Sequence, residues 1–104
     1  MRTRIEVLPD AVHQIERIAG WWREHRAGVV DLFADELAAA FDLLEELPDV
    51  GRPFPRRRFP SLRVLLLTRT RYHIYYEHNA EAGVVLVRAV WSAVRGRRPP
   101  LRQH

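Results

Sequence analysis

The sequence predicts an α+β domain: an N-terminal strand, a helical hairpin, then a three-stranded antiparallel meander, with the hairpin packed on one face of the sheet. Three observations carry this. Residues 62–91, LRVLLLTRTRYHIYYEHNAEAGVVLVRAVW, hold branched and aromatic residues at the density of half-buried strands, interrupted by two turns. Residues 10–47 repeat apolar residues at helical spacing. A chain of 104 residues with no cysteine suits one domain, 1–104, closed by a single core without disulfides or thiolate metal sites.

The first strand is expected at 2–8 (RTRIEVL), which alternates polar and apolar residues with Ile5 and Val7 inward. Pro9 and Asp10 then signal a helix start. A helix over 10–26 follows, with its stripe at Val12, Ile15, Ile18 or Ala19, and Trp22. Trp21 lies about 100° round from Trp22, on the flank of that stripe. It is either edge cover for the core or an anchor for a partner.

Gly28 breaks the pattern, and a second helix is expected over 29–47. Its main stripe is Val30, Phe33, Leu37, Phe41 and Leu44; a weaker one is Leu32, Ala39 and Leu43. Two stripes suit a helix that packs on a sheet and also touches a neighbour. Pro48 stops it, since proline cannot continue the hydrogen-bond ladder. Residues 48–60 (PDVGRPFPRRRFP) read as a proline-rich loop carrying Arg52, Arg56, Arg57 and Arg58. The meander strands are placed at 62–67, 71–77 and 84–91, and 92–104 reads as an irregular basic tail with Arg95, Arg97, Arg98 and Arg102.

All 17 basic residues are arginine, so no lysine is available as a base or Schiff-base former. Charge is split: residues 1–51 hold 5 Arg against 11 acidic residues (−6), and residues 52–104 hold 12 against 2 (+10). That asymmetry points to a polyanionic partner, either nucleic acid or an acidic protein segment. The absence of cysteine and of a signal-peptide core predicts a cytoplasmic protein with no membrane contact.

Several chemistries are excluded. The five glycines are scattered, so there is no phosphate-cradling loop. His13, His25, His73, His78 and His104 show no metal-ligand spacing, and Ser61 and Ser92 sit in no nucleophile elbow. No cofactor or metal is expected. His25 and His78 are expected at element ends, in solvent.

What remains is the meander. In its middle strand Tyr72, Ile74 and Tyr76 are expected to face the helices, and Arg71, His73 and Tyr75 the opposite side. Arg63 and Arg88 are expected to join the outer set. Such a set could hold a single-stranded nucleic acid, or it could be an ordinary ladder of cross-strand pairs. As an active site it is poor in proton-transfer groups, because His73 alone titrates near neutrality.

The element order, with L-P-D-V-G-R-P at 47–53, Leu62-Arg63, Y-H-I-Y-Y at 72–76, V-V-L-V-R-A-V-W at 84–91 and Arg95-Gly96-Arg97, resembles the RelE/ParE superfamily of type II toxin–antitoxin toxins. The resemblance covers nearly the whole chain. It implies a small cytoplasmic toxin neutralised by a cognate antitoxin, which alone contacts operator DNA. Trp21, Leu32 and Leu43 are the expected antitoxin contacts.

Two branches differ in target. RelE-like members cut mRNA on the ribosome with lysines, arginines and a late tyrosine or histidine; in that case Arg63, Arg71, His73 and Tyr75 are the expected catalytic set. ParE-like members poison DNA gyrase by binding. The chain has no lysine and no tyrosine after Tyr76, which favours the ParE-like branch. Arg56, Arg57, Arg58, Arg88, Arg95, Arg97 and Arg98 are then expected to bind the target. A non-catalytic basic nucleic-acid-binding domain is the alternative outside the toxins.

Overall fold

The structure, a computed structural model, describes residues 2–94 and 99–101. It contains β1 (Arg4–Val7), α1 (Pro9–His25), a 3₁₀ turn (Ala27–Val29), α2 (Leu32–Glu46), β2 (Arg52–Pro53), β3 (Arg63–Leu67), β4 (Tyr72–Asn79) and β5 (Val84–Ser92). The strands form one sheet in the order β1-β5-β4-β3-β2. β1 runs parallel to β5, and all other pairs are antiparallel. The predicted α+β class, hairpin and meander are therefore present.

α1 starts where its sequence says it should. Leu8 is extended, Pro9 takes the first turn, and Asp10 sits at the positive end of the helix while Arg23 and His25 sit at the negative end. Its buried face differs from the expected stripe. Ala11, Gln14 and Trp22 are buried, Ile15 and Ile18 are half-buried, and Val12 is exposed. The reason lies in the sheet. β1 ends at Val7, opposite Val87, so β5 runs on without a neighbour on that side. The Gln14 Oε1 accepts the Val90 amide at 2.8 Å there, doing what a longer β1 would have done.

α2 is shorter than expected. The 3₁₀ turn occupies 27–29, so Val30 falls before the helix and is exposed. Phe33, Leu37, Ala40 and Leu44 are buried, with Phe41 packed beside them. Together with Ala11, Trp22, Leu67, Ile74, Tyr76, Val85, Val87 and Val90 they make the helix-side core. Fully burying one such large apolar side chain contributes about 1.5–3 kcal/mol.

β4 alternates as its sequence predicts, with Tyr72, Ile74 and Tyr76 toward the helices. The polar ends of these rings are satisfied. Gly51 donates its amide to the Tyr76 hydroxyl at 2.8 Å, and the Trp22 Nε1 donates to the Tyr72 hydroxyl at 3.2 Å. At the other end of the sheet the Glu36 carboxylate clasps the β3–β4 turn. It accepts the amides of Arg69 and Thr70 at 2.7 and 2.9 Å and the Thr70 hydroxyl at 2.6 Å.

Two expectations about element boundaries fail in the second half. Residues 48–60 are not all loop, because Arg52 and Pro53 pair with Val64 and Arg63 as the edge strand β2. Pro53 is tolerated there because an edge strand needs no donor on its open side. Arg71 is not in a strand. It closes the β3–β4 turn with φ 67°, the one non-glycine residue in the left-handed region among those described. No helix among the described residues is long and apolar enough to cross a membrane.

Candidate functional site

The outer face of the sheet is covered, which its alternation alone did not predict. After β2 the chain turns back over that face as an arm held by its own backbone. Phe54 and Leu62 are joined by an amide–carbonyl bond of 2.9 Å, and Arg56 and Phe59 exchange two, at 3.0 and 2.9 Å. Pro55 and Pro60 flank the tip and restrict its conformations. The arm lays Phe59 and Leu62 on Val64, Tyr75 and Ala89, with Phe54, Trp91 and Leu101 at the margin. This is a second, smaller core, and it buries Tyr75 to 5% exposure.

Arginines cap its rings. The Arg56 guanidinium lies 3.5 Å from the centre of the Phe54 ring, Arg52 lies 5.6 Å from the same ring, and Arg88 lies 4.6 Å from Phe59. Each such contact is worth about 0.5–2 kcal/mol, the upper end where water is excluded. A β-bulge aims Arg88. Tyr75 pairs with Ala89 and Tyr76 with Val87, which leaves Arg88 as the extra residue turned onto the outer face. There it is ion-paired with Glu77, which also accepts the Ser61 hydroxyl.

The structure brings together only part of the expected outer set. The Tyr75 hydroxyl and the His73 Nδ1 are 3.5 Å apart, at the limit of a hydrogen bond. Burial, then the charges of Arg52 and Arg71, hold the His73 imidazole below its ordinary pKa and therefore neutral at pH 7. Arg63 does not join them. It pairs across the strands with Tyr76, so it shares the helix-side face. From there it donates to the carbonyls of Asp49 (3.1 Å) and Gly51 (2.7 Å). Arg57 and Arg58 are exposed at the tip of the arm. Arg95, Arg97 and Arg98 lie outside the described residues.

Between the arm and Pro99–Leu101 lies a cavity of about 380 Å³, lined by Phe54, Arg56, Arg57, Arg58, Phe59 and Tyr75 besides Pro99 and Leu101. Its floor is apolar and its rim is cationic. Phe54 and Phe59 were not singled out by sequence reasoning, although F-P-R-R-R-F-P places a Phe-Pro pair on each side of the arginine run.

A polar cluster sits at the far end of α2. His78 was expected in solvent, but its side chain is largely covered, and its Nδ1 lies 2.9 Å from the Asp49 carboxylate. His25 is exposed as expected and stacks on Trp21, with ring centres 4.8 Å apart. On the helical side Trp21 and Leu43 are exposed, as are Leu47 and Val50 further along. Leu32 is partly covered and packs against the helix-side core. Among the described residues no three His, Asp or Glu side chains converge as a metal site would require.

Residues 5–96, from β1 to just beyond β5, match the family described as ParE toxin of type II toxin–antitoxin system, parDE. The chain belongs to that family. It is thus a toxin of the type II toxin–antitoxin class, within the RelE/ParE superfamily that its motifs resemble. Two solved structures share the ParE-family chain's fold. One is a chain of the crystal structure of the toxin–antitoxin complex RelBE2 from Mycobacterium tuberculosis, 18% identical, with TM-score 0.60 over 88% of this chain and 99% of that one. The other is a mutant of the E. coli toxin RelE in the free state, 20% identical, with TM-score 0.54 over 90% of this chain and 86% of that one. At these identities the likeness is one of fold. No curated protein matches the chain.

Proposed function

We propose that this ParE-family toxin acts in the cytoplasm as a protein ligand of DNA gyrase, is neutralised by a cognate antitoxin, and meets operator DNA only through that antitoxin. The observation that carries the gyrase reading is the state of the outer face. Its tyrosine is buried and its arginines lie on aromatic rings. Such a face is built for docking and is poor in groups that exchange protons. Arg57 and Arg58 form its exposed rim, with Arg56 half-buried on Phe54 and Arg88 packed beneath. The antitoxin takes the helical side, at Trp21, Leu43 and the margin of Leu32.

One observation favours a RelE-like ribonuclease as the second reading. A neutral His73 in contact with Tyr75, beside Arg52 and Arg71, is a base near cations. Two incubations of the purified toxin separate the readings, one with gyrase and supercoiled plasmid, the other with programmed ribosomes. Blocked supercoiling or linearised plasmid with intact mRNA is the expected result. Cleaved mRNA with unaffected gyrase overturns it. For the antitoxin side, Trp21→Asp with Leu43→Asp is expected to weaken antitoxin binding in titration calorimetry, and unchanged affinity removes both residues from that interface.

A further inference from the structure

The cavity beneath the arm has a composition that selects among polyanions. A nucleic acid would place phosphates on the arginines and stack its bases on exposed ring faces. Here the ring faces are taken. Arg56 and Arg52 lie against Phe54, Arg88 lies over Phe59, and Phe54 and Tyr75 are packed together with ring centres 5.6 Å apart. Phe59 and Tyr75 are each only 5% exposed. What these rings present to the cavity is apolar wall rather than a stacking platform. Among the described residues the lining holds no Asn, Gln, Asp, Glu, Ser or Thr, so only its arginines could meet a base edge, and Arg56 is already laid on Phe54.

An apolar hollow ringed by fixed cations fits a different ligand, a bulky apolar side chain with carboxylates on either side of it. The volume of about 380 Å³ falls at the lower end of small-ligand sites, which run from about 300 to 1,000 Å³. That is room for one anchor and little else. The arm's own backbone bonds and its two flanking prolines preform the site, which lowers the entropy lost on binding. The arginines at its tip are delocalised planar cations suited to carboxylates.

We propose that this cavity seats a single large apolar side chain from an acidic peptide segment of the toxin's target, with Arg57 and Arg58 pairing the flanking carboxylates. The proposal rests on the docking reading above and names the chemistry of what docks.

The probe is a fluorescently labelled, end-blocked peptide, Asp-Glu-Phe-Asp-Glu, titrated with the full-length toxin by polarisation. Replacing its central Phe by Ala is expected to weaken binding roughly tenfold, as loss of a buried anchor does at protein interfaces. Arg57→Ala combined with Arg58→Ala is expected to weaken it several-fold and to flatten its salt dependence, with the thermal midpoint of the toxin unchanged. Binding that ignores the central residue overturns the proposal, because charge alone would then suffice. So does a ten-nucleotide oligothymidine that binds more tightly and displaces the peptide, which would make the site one for nucleic acid. Supercoiling assays in parallel keep the two readings apart. Inhibited gyrase without anchored peptide binding sinks the cavity proposal alone, whereas anchored peptide binding without gyrase inhibition supports the site and sinks the gyrase reading.

Discussion

The helix-side face of the sheet is closed by two helices whose apolar residues recur every three or four positions, whereas the outer face is closed by a proline-bounded arm and by arginines laid on aromatic rings. The first cover is periodic and largely apolar. The second is short and irregular, with cationic groups doing part of the packing. In the proposed reading the contrast divides labour between the faces: the first supplies most of the stability, and the second, with less to lose, would carry the docking chemistry.

The largest test of that division is a pair of truncations. Phe33→Ala empties a site that is 1% exposed in the helix-side core, and it is expected to cost about 3–5 kcal/mol in urea unfolding. Phe54→Ala removes a half-buried ring at the margin of the outer core and is expected to cost only about 1–2 kcal/mol. It should nevertheless weaken target binding more than any stability loss explains, since it removes the support beneath Arg56. Equal costs for the two would mean that both faces belong to one cooperative core.

Gly51→Ala comes next. A Cβ there would sit 2.5 Å from the Tyr76 hydroxyl, on a tyrosine with no exposed surface to retreat to. Overpacking of this kind costs about 1–3 kcal/mol. The same change disturbs the start of β2, so it tests whether the helix-side core positions the outer arm. Loss of stability together with loss of target binding is expected; loss of stability alone would uncouple the two faces.

This difference also explains what was legible in the sequence. The hairpin and meander follow from periods of 3.6 and 2, and Tyr72, Ile74 and Tyr76 went where alternation sends them. Val12 and Gln14 did not, because the pull on Gln14 comes from an amide at Val90, 76 residues away. Nothing local in residues 11–15 announces it. β2 was missed because Arg52 and Pro53 have no strand signal of their own and pair only because β3 is beside them. At the site, the arginines were legible as charge, but their partners were not. That Arg88 turns outward depends on a bulge, and that Arg63 turns inward depends on a register set four residues beyond the turn.

Glu36 gives a smaller effect with a sign. Burial pushes its carboxyl pKa up, but the Thr70 hydroxyl, the amides of Arg69 and Thr70 and the Arg69 charge outweigh it, leaving the pKa below the ordinary 4.5. A depressed folded pKa contributes stability that is complete above the unfolded value near 4.5 and is lost as pH falls through the folded value. Glu36→Gln is therefore expected to cost about 1 kcal/mol at pH 7, after allowing for solvent screening. The variant and the parent should converge near pH 3. Urea midpoints at both pH values check this, and an equal deficit at both would show that shape rather than charge holds the turn.

The β3–β4 turn that Glu36 clasps from the helix side presents Arg71 to the outer face, and here stability and docking pull apart. Arg71 holds φ 67°, where a side chain costs roughly 1–2 kcal/mol and glycine almost nothing. Glycine loses more backbone freedom on folding, about 0.5–1 kcal/mol, so Arg71→Gly is expected to stabilise the fold by up to about 1 kcal/mol. A strained arginine where glycine would serve better suggests that its charge is used. Removing it takes away one of the two cations that depress His73, so the imidazole pKa, followed by NMR, should move back toward 6.5. The stability that depends on a neutral His73, complete above pH 6.5 and lost as pH falls through the folded value, is then lost to a smaller extent than in the parent, and the loss ends at a higher pH. Target binding should weaken by several-fold, the scale of one exposed charge contact of about 1 kcal/mol. A variant that is more stable and titrates as expected, yet binds its target unchanged, would move the docking face off the turn and confine it to the arm.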